Sequence, residues 1–155
     1  MFELDFRPNY ELISIVRRFV SDFYERMLND PDAVSRVALA THELLENAVK
    51  YSLDGATSLS ITMEQEEERN LVRVRISNQA ESKHIASIQA LFDEMEKHED
   101  PLEHYQLAME RTAKQREGSG LGLLRIRAEG EMKMTHSLDG NIVCIVAETF
   151  VGRSS

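Results

Sequence analysis

Residues 43–52 of the chain read Glu43-Leu44-Leu45-Glu46-Asn47-Ala48-Val49-Lys50-Tyr51-Ser52. They close a helix that apolar spacing predicts over residues 31–51, and Leu44 and Leu45 belong to its apolar side. Glu43 and Asn47 lie at i and i+4, and Lys50 or Tyr51 follows at i+7 or i+8, so these residues share one helix face. Because this polar stripe runs beside the apolar one, we expect it at the rim of the core, where a cleft can form. A carboxylate and an amide oxygen in line suit a hard cation or can orient a hydroxyl, whereas an ordinary amphipathic helix with a solvated edge is the alternative interpretation.

A second stretch, Gly118-Ser119-Gly120-Leu121-Gly122-Leu123, leads directly into a helix predicted to run to about Gly130. Three glycines in five positions let backbone N–H groups approach an anion, and the helix N-terminus adds a favourable partial charge. The alternative interpretation is a flexible loop or a helix-entry turn. Alone, this glycine pattern is weak evidence for a phosphate site.

The spacing of apolar residues before, between and after these two segments predicts the rest of the fold. Alternating apolar residues predict strands at 2–7, 57–66, 71–77, 133–137 and 142–150. Apolar residues three and four apart predict helices at 10–28, at 31–51 and, weakly anchored, at 82–115. The order β-α-α-β-β-α-α-α-β-β favours an α+β two-layer sandwich, with helices on one face of a mixed, mostly antiparallel sheet. We expect one domain over residues 1–150 and a disordered tail over 151–155.

Composition excludes several classes of protein. The 155 residues carry 27 acidic and 18 basic side chains, a net charge of −9, without the clustered basic residues that nucleic acid requires. No apolar run approaches the roughly 18 residues that would cross a bilayer, and no secretion signal is evident. The single cysteine, Cys144, is expected to be buried and fits a reducing cytoplasm. The five histidines are scattered, with no pair spaced like a metal site.

Taken together, the two segments resemble the GHKL, or Bergerat-fold, ATP-binding family. Residues 43–52 resemble the N box of that family, and residues 118–123 resemble its second glycine box. The resemblance covers roughly Phe2 to Phe150. The small size of the chain is similar to that of the anti-sigma-factor serine kinases within this family.

The resemblance implies a role for each matching residue. Asn47 would hold the Mg²⁺ that bridges the ATP phosphates, and Glu43 would be the catalytic base. Lys50 would reach a phosphate, and the stretch 82–115 would be the ATP lid. The backbone of the phosphate loop would be supplied by Gly118, Ser119, Gly120, Leu121 and Gly122.

The first glycine box of the family, Asp-x-Gly-x-Gly, is replaced here by Asn78-Gln79-Ala80-Glu81-Ser82. The resemblance places Asn78 where the family binds the adenine amino group, and its amide oxygen can still accept a hydrogen bond. Loss of the charge reduces affinity roughly tenfold. Alanine at position 80, in place of the glycine of the family, weakens the binding free energy by about 1–2 kcal/mol more if the backbone needs a positive φ there. Together these effects turn a micromolar site into a submillimolar one.

The resemblance therefore implies a cytoplasmic regulator that binds ATP and Mg²⁺. It would control a protein partner, a sigma factor or an anti-anti-sigma-like regulator, by phosphorylation or by sequestration. The alternative is a catalytically inactive module that acts only through protein–protein binding. The apolar stripe of the first helix is widened by Ile13 and Val20, so an exposed remainder could bind the partner or a second copy in a homodimer.

Overall fold

A computed structural model describes residues 2–7, 9–53, 56–112 and 121–152. The strands are β1 Phe2–Phe6, β2 Thr57–Glu66, β3 Arg69–Gln79, β4 Lys133–Asp139 and β5 Ile142–Gly152. The helices are α1 Tyr10–Met27, α2 Pro31–Tyr51, α3 Ser82–Lys97, α4 Pro101–Thr112 and α5 Leu121–Ala128. The element order is the predicted one. The last strand continues through two residues that the sequence placed in the tail, and residues 153–155 lie outside the described part of the chain.

The five strands form one sheet in the order β1-β2-β3-β5-β4. The α+β class is confirmed. All four strand pairs of the described sheet are antiparallel, so the parallel pair that a mixed sheet would contain is not among them. One face of the sheet is apolar and packs under the helices through fully buried side chains that include Leu59, Ile61, Val74, Ile76 and Ile145.

The opposite face of the sheet is polar. There Arg73 lies 3.4 Å from Glu64 and 3.3 Å from Glu148. Cys144 is buried as predicted, although it lies on this face, where Arg75 Nε donates to its Sγ at 3.0 Å. Each strand thus alternates between the core and the solvent side, as a half-buried strand should.

Helix α2 is well defined at its start. The Asp30 side chain caps it by accepting a hydrogen bond from the Ala33 N–H at 3.2 Å, and Pro31 occupies the first turn. Leu44, Leu45 and Ala48 are almost completely buried. Because these three residues fix the rotation of the helix, its polar edge lies at the rim of the core.

Helix α1 buries a different side from the one expected. Ile13 and Val20, predicted to widen the stripe outward, are buried in the core. Ile15, Phe19 and Phe23 are exposed instead. The apolar arc of α1 is wider than its neighbours, chiefly α2, can cover. The sequence does not show which of the two margins of this arc faces the core.

The predicted weak anchoring of residues 82–115 is also wrong for the part that the structure describes. Helix α3 buries Ile88, Phe92 and Met95, and α4 buries His104 completely. Arg127 of α5 donates through Nη2 to the backbone oxygen of His98 at 2.7 Å. Apolar packing and this hydrogen bond therefore anchor both helices to the domain.

No helix within the described ranges combines the length and the apolar character that a membrane crossing needs.

The buried His104 side chain makes stability depend on pH. Burial lowers its pKa below the usual 6.5, the neighbouring His98 and Arg127 lower the pKa further, and Glu94 opposes them. Below about pH 6.5 the unfolded chain therefore binds a proton that the folded chain still excludes. We expect the free energy of unfolding to fall as the pH drops below this value, by up to about 1.4 kcal/mol per pH unit for one proton.

Urea denaturation at several pH values measures this slope. The His104→Leu variant should have a shallower slope, with His84 contributing what remains, because burial lowers its pKa as well. An unchanged slope in His104→Leu would exclude His104 as the origin of the effect.

Candidate functional site

A cleft of about 360 Å³ opens between α2 and the first turns of α5, with α4 at one side. It is lined by Glu43, Glu46, Asn47, Lys50, Tyr51, Tyr105, Leu121, Gly122, Leu123 and Arg125. The last two turns of α2 therefore face the start of α5 across a space large enough for a small ligand.

The polar edge of α2 forms one wall of this cleft. Glu43 is largely buried, with 11% of its side chain exposed, whereas Lys50 is half exposed. Glu46 links the edge together: one carboxylate oxygen lies 3.3 Å from His42 Nε2 and the other 3.6 Å from Lys50 Nζ. Asn47 lies between these charged groups, half-buried.

The start of α5 forms the opposite wall and packs against Glu43. A Cβ atom at Gly122 would overlap the carboxylate oxygen Oε2 of Glu43, so any larger residue here requires this carboxylate to shift. Arg125, one turn further along α5, donates through Nη1 to the other carboxylate oxygen at 3.2 Å. The Glu43 carboxylate is therefore held between a helix N-terminus and a guanidinium group.

Arg125 is a site residue that the sequence analysis missed. It also donates to Glu129 at 2.7 Å, and this hydrogen bond is the main reason that the pKa of Arg125 is raised. The sequence feature that could have identified Arg125 is its position three residues after Gly122, which puts both residues on one face of α5. That spacing becomes informative only once α5 is known to face α2.

The structure places Glu43, Asn47, Lys50, Leu121 and Gly122 around one cleft. The other three predicted residues of the glycine stretch, Gly118, Ser119 and Gly120, lie outside the described residues.

Asn78 is not among the residues that line the cleft. Its side chain is buried, and its amide nitrogen donates to the backbone oxygen of Gln79 at 3.0 Å. The neighbouring Ala80 pairs with Ser52 through an isolated bridge, which ties the end of β3 to the end of α2. The resemblance gives Asn78 the role of hydrogen-bond acceptor through its amide oxygen, whereas the bond to Gln79 uses its amide nitrogen.

Tyr51, at the end of the polar edge, has a ring partner that the sequence did not indicate. The imidazole of His84, in the first turn of α3, stacks on the Tyr51 ring with 4.0 Å between centroids and 11° between planes. Burial lowers the pKa of His84, which favours its neutral form at pH 7. One face of Tyr51 is therefore occupied by an uncharged ring of the protein itself.

The polar edge of α2 also offers ligands for a cation. One potential ligand atom each from His42, Glu43 and Glu46 lie within 4.8 Å of one another. Asn47 adds an amide oxygen beside them. Oxygen donors of this kind suit Mg²⁺, so the residues present fit a divalent cation held together with phosphate.

Comparison with protein families and with solved structures shows what the chain as a whole is similar to. A family model described as a histidine kinase-like ATPase domain matches residues 6–147. The crystal structure of the SiaB–SiaC complex from Pseudomonas aeruginosa contains a similar chain, with a TM-score of 0.65 and 13% identity, over 96% of this chain and 89% of that chain. At this identity the similarity shows a shared fold.

Two histidine kinases are also similar. Acinetobacter baumannii AdeS has a TM-score of 0.40 and 14% identity, over 98% of this chain and 68% of that chain. The catalytic domain of ThkA has a TM-score of 0.38 and 17% identity, over 98% of this chain and 96% of that chain. No curated protein sequence matches this chain.

The contact between Gly122 and Glu43 can be tested by a double-mutant cycle. Gly122→Ala should lower the free energy of unfolding by about 1 kcal/mol, because the Glu43 carboxylate must shift away from the new methyl group and from Arg125. In a Glu43→Ala background the same substitution should cost nothing, since the obstructing group is absent and alanine favours a helix. Urea denaturation of the four proteins measures both steps, and an equal cost in both backgrounds would contradict the contact.

Proposed function

The chain belongs to the histidine kinase-like ATPase family, and we propose that it binds ATP with Mg²⁺ in the cleft between α2 and α5 and thereby controls a protein partner. The observation that carries this proposal is the meeting of the polar edge of α2 with Gly122 and Arg125 in one cleft. A chain with a net charge of −9 needs local cations to hold a polyphosphate, and Lys50 and Arg125 supply them.

Each residue of the cleft has a physical role in this proposal. Asn47 offers an amide oxygen to the cation, and Glu46 holds the Lys50 ammonium group 3.6 Å away, beside the cleft. The start of α5 lines the same cleft, and the dipole of a helix N-terminus favours anions there. Bound Mg²⁺ would neutralise phosphate charge, and ATP would supply the phosphoryl group.

The finer proposal is phosphorylation of a serine or threonine hydroxyl on the partner. Glu43 would accept the hydroxyl proton, since its carboxylate is fixed in position by Arg125 and reaches the cleft. The family resemblance supports a sigma factor or an anti-anti-sigma-like regulator as partner, and a cytoplasmic site of action fits the single cysteine. The SiaB–SiaC structure, a complex of two proteins, also favours a protein partner.

Calorimetric titration of Mg·ATP tests nucleotide binding. We expect submillimolar affinity for the wild type and a loss of at least about tenfold in Asn47→Ala, because the cation loses an oxygen ligand. Asn29→Ala, an exposed asparagine between α1 and α2, is the matched control and should bind like the wild type.

Two results would overturn this proposal. Absence of binding by the wild type at millimolar Mg·ATP would remove the nucleotide from the function. Equal affinity of Asn47→Ala and the wild type would remove Asn47 from the cation site.

A second candidate function is a catalytically inactive module that works only by binding its partner. Two observations favour it: Asn78 lies outside the cleft, and the Glu43 carboxylate already has Arg125 as a partner. In this case ATP would bind weakly or not at all, and the fold would serve as a docking scaffold.

The Glu43→Gln variant distinguishes the two candidates. Glutamine keeps the shape of the side chain and removes its ability to take a proton, so phosphoryl transfer to the partner should fall by about 10²–10⁴-fold with little change in ATP affinity. Radiolabel transfer from ATP to the co-purified partner measures this. If control of the partner is the same in Glu43→Gln and wild type, the kinase proposal is wrong and the inactive module is supported.

A further inference from the structure

The cleft between α2 and α5 is small for a whole nucleotide. Its volume of about 360 Å³ lies near the lower limit of the roughly 300–1,000 Å³ that is typical of small-molecule sites. Asn47, Lys50 and Arg125 line it, and among its described lining residues none belongs to α3. The cleft therefore offers ionic and polar contacts to a polyphosphate with its cation, and a base attached to that polyphosphate needs a flat apolar surface in addition.

Two aromatic rings line the cleft, Tyr105 and Tyr51, and they lie in different surroundings. Burial raises the pKa of Tyr105, and the charges of Glu129, Arg125 and Glu43 act on it as well, so this ring belongs to the charged part of the cleft. Tyr51 is the last residue of α2 and lies at the opposite end of the polar edge from Glu43. Its ring is the surface on which a base would stack, as bases stack on aromatic side chains in other proteins.

One face of this ring is already covered by His84. The imidazole lies 4.0 Å from the Tyr51 ring, centroid to centroid, with 11° between the two planes. Both residues are half-buried. A flat aromatic group stacked in this way occupies the position that a base would take on the same face of Tyr51.

The backbone holds Tyr51 more firmly than it holds His84. The Leu53 N–H donates to the Gln79 backbone oxygen at 2.9 Å, which ties the chain just after Tyr51 to the end of β3. By contrast, the Glu81 side chain makes no capping hydrogen bond at the start of α3, and the first buried side chain of that helix is Ile88, one turn after His84. The turn that carries His84 is therefore the more mobile partner of the stack.

We propose that His84 keeps the base of a nucleotide off the Tyr51 ring, so that the cleft recognises Mg²⁺-bound polyphosphates largely without regard to a base, inorganic tripolyphosphate included. A base that displaces the imidazole exchanges one ring stack for another of similar strength, so it adds little affinity. His84 thereby determines the specificity of the site. This inference rests on the proposed function, because it concerns the ligand of the same cleft.

Calorimetric titration of Mg·ATP and of Mg·tripolyphosphate into the full chain tests the proposal. For the wild type we expect the two Kd values to agree within about threefold. His84→Ala uncovers the Tyr51 ring, so it should bind ATP about fivefold more tightly and tripolyphosphate as before. The two ligands differ in charge, but this difference cancels when their Kd ratio is compared between proteins.

Three further variants identify the cause of such a gain. His84→Phe keeps a flat ring on Tyr51 and should restore the Kd ratio of the wild type. Tyr51→Ala/His84→Ala removes the surface for the base and should lose the gain in ATP affinity. Gln89→Ala is the matched control, because Gln89 is an exposed residue of the same helix, and it should bind like the wild type. Circular dichroism verifies that each variant is folded.

Three results would overturn the proposal: an unchanged Kd ratio in His84→Ala, a gain that persists in the double variant, or a wild type that binds tripolyphosphate at least about thirtyfold more weakly than ATP. Failure of the proposed function gives a different result, namely a wild type that binds neither ligand. His84→Ala then still decides this inference, because newly acquired ATP binding supports it and continued absence of binding contradicts it.

Discussion

The packing of α2 on the sheet is the constraint on which the rest of the molecule depends. Leu44, Leu45 and Ala48 lose almost all their exposure, and each such side chain stabilises the fold by roughly 1–3 kcal/mol according to its size. Because these residues allow one rotation of the helix, Glu43 and Asn47 must lie at the rim of the core. Apolar packing thus sets the geometry of one wall of the cleft. The backbone positions of its polar residues follow from that packing and do not depend on polar contacts.

The second wall depends on a close approach. Gly122 lets the first turn of α5 contact the Glu43 carboxylate directly, and Arg125 neutralises that carboxylate from the next turn. Arg125 is 43% exposed, so water weakens this ion pair and its contribution to stability is modest. The main effect of this ion pair is on the position of Glu43, because the carboxylate cannot rotate out of the cleft without breaking its hydrogen bond to the Arg125 guanidinium. The same pair places opposite charges where a metal and a phosphate would each need a counter-charge.

Most of the fold was predictable, because apolar periodicity is a local property. Alternation in residues 57–66 and four-residue spacing in residues 31–51 identify their elements without knowledge of the partners. What could not be predicted depends on pairs distant in sequence. Arg125 meets Glu43 across 82 positions, and the stack of His84 on Tyr51 has no local signal. The prediction for the exposed margin of α1 was wrong for the same reason, since the packing of α1, chiefly against α2, determines which side of its wide apolar arc is covered.

The cleft is divided into a charged half and a half in which an aromatic ring is already covered. In the charged half, Asn47, Lys50 and Arg125 face open space, so a polyanion with its cation gains interactions that the protein alone does not make. In the other half, one face of the Tyr51 ring is already covered by the His84 imidazole. A base entering there must displace contacts of similar strength, so its net gain is small. If the proposed function is correct, a nucleotide in this site would be held mainly through its phosphates and its metal, and replacing one purine by another should change its affinity little.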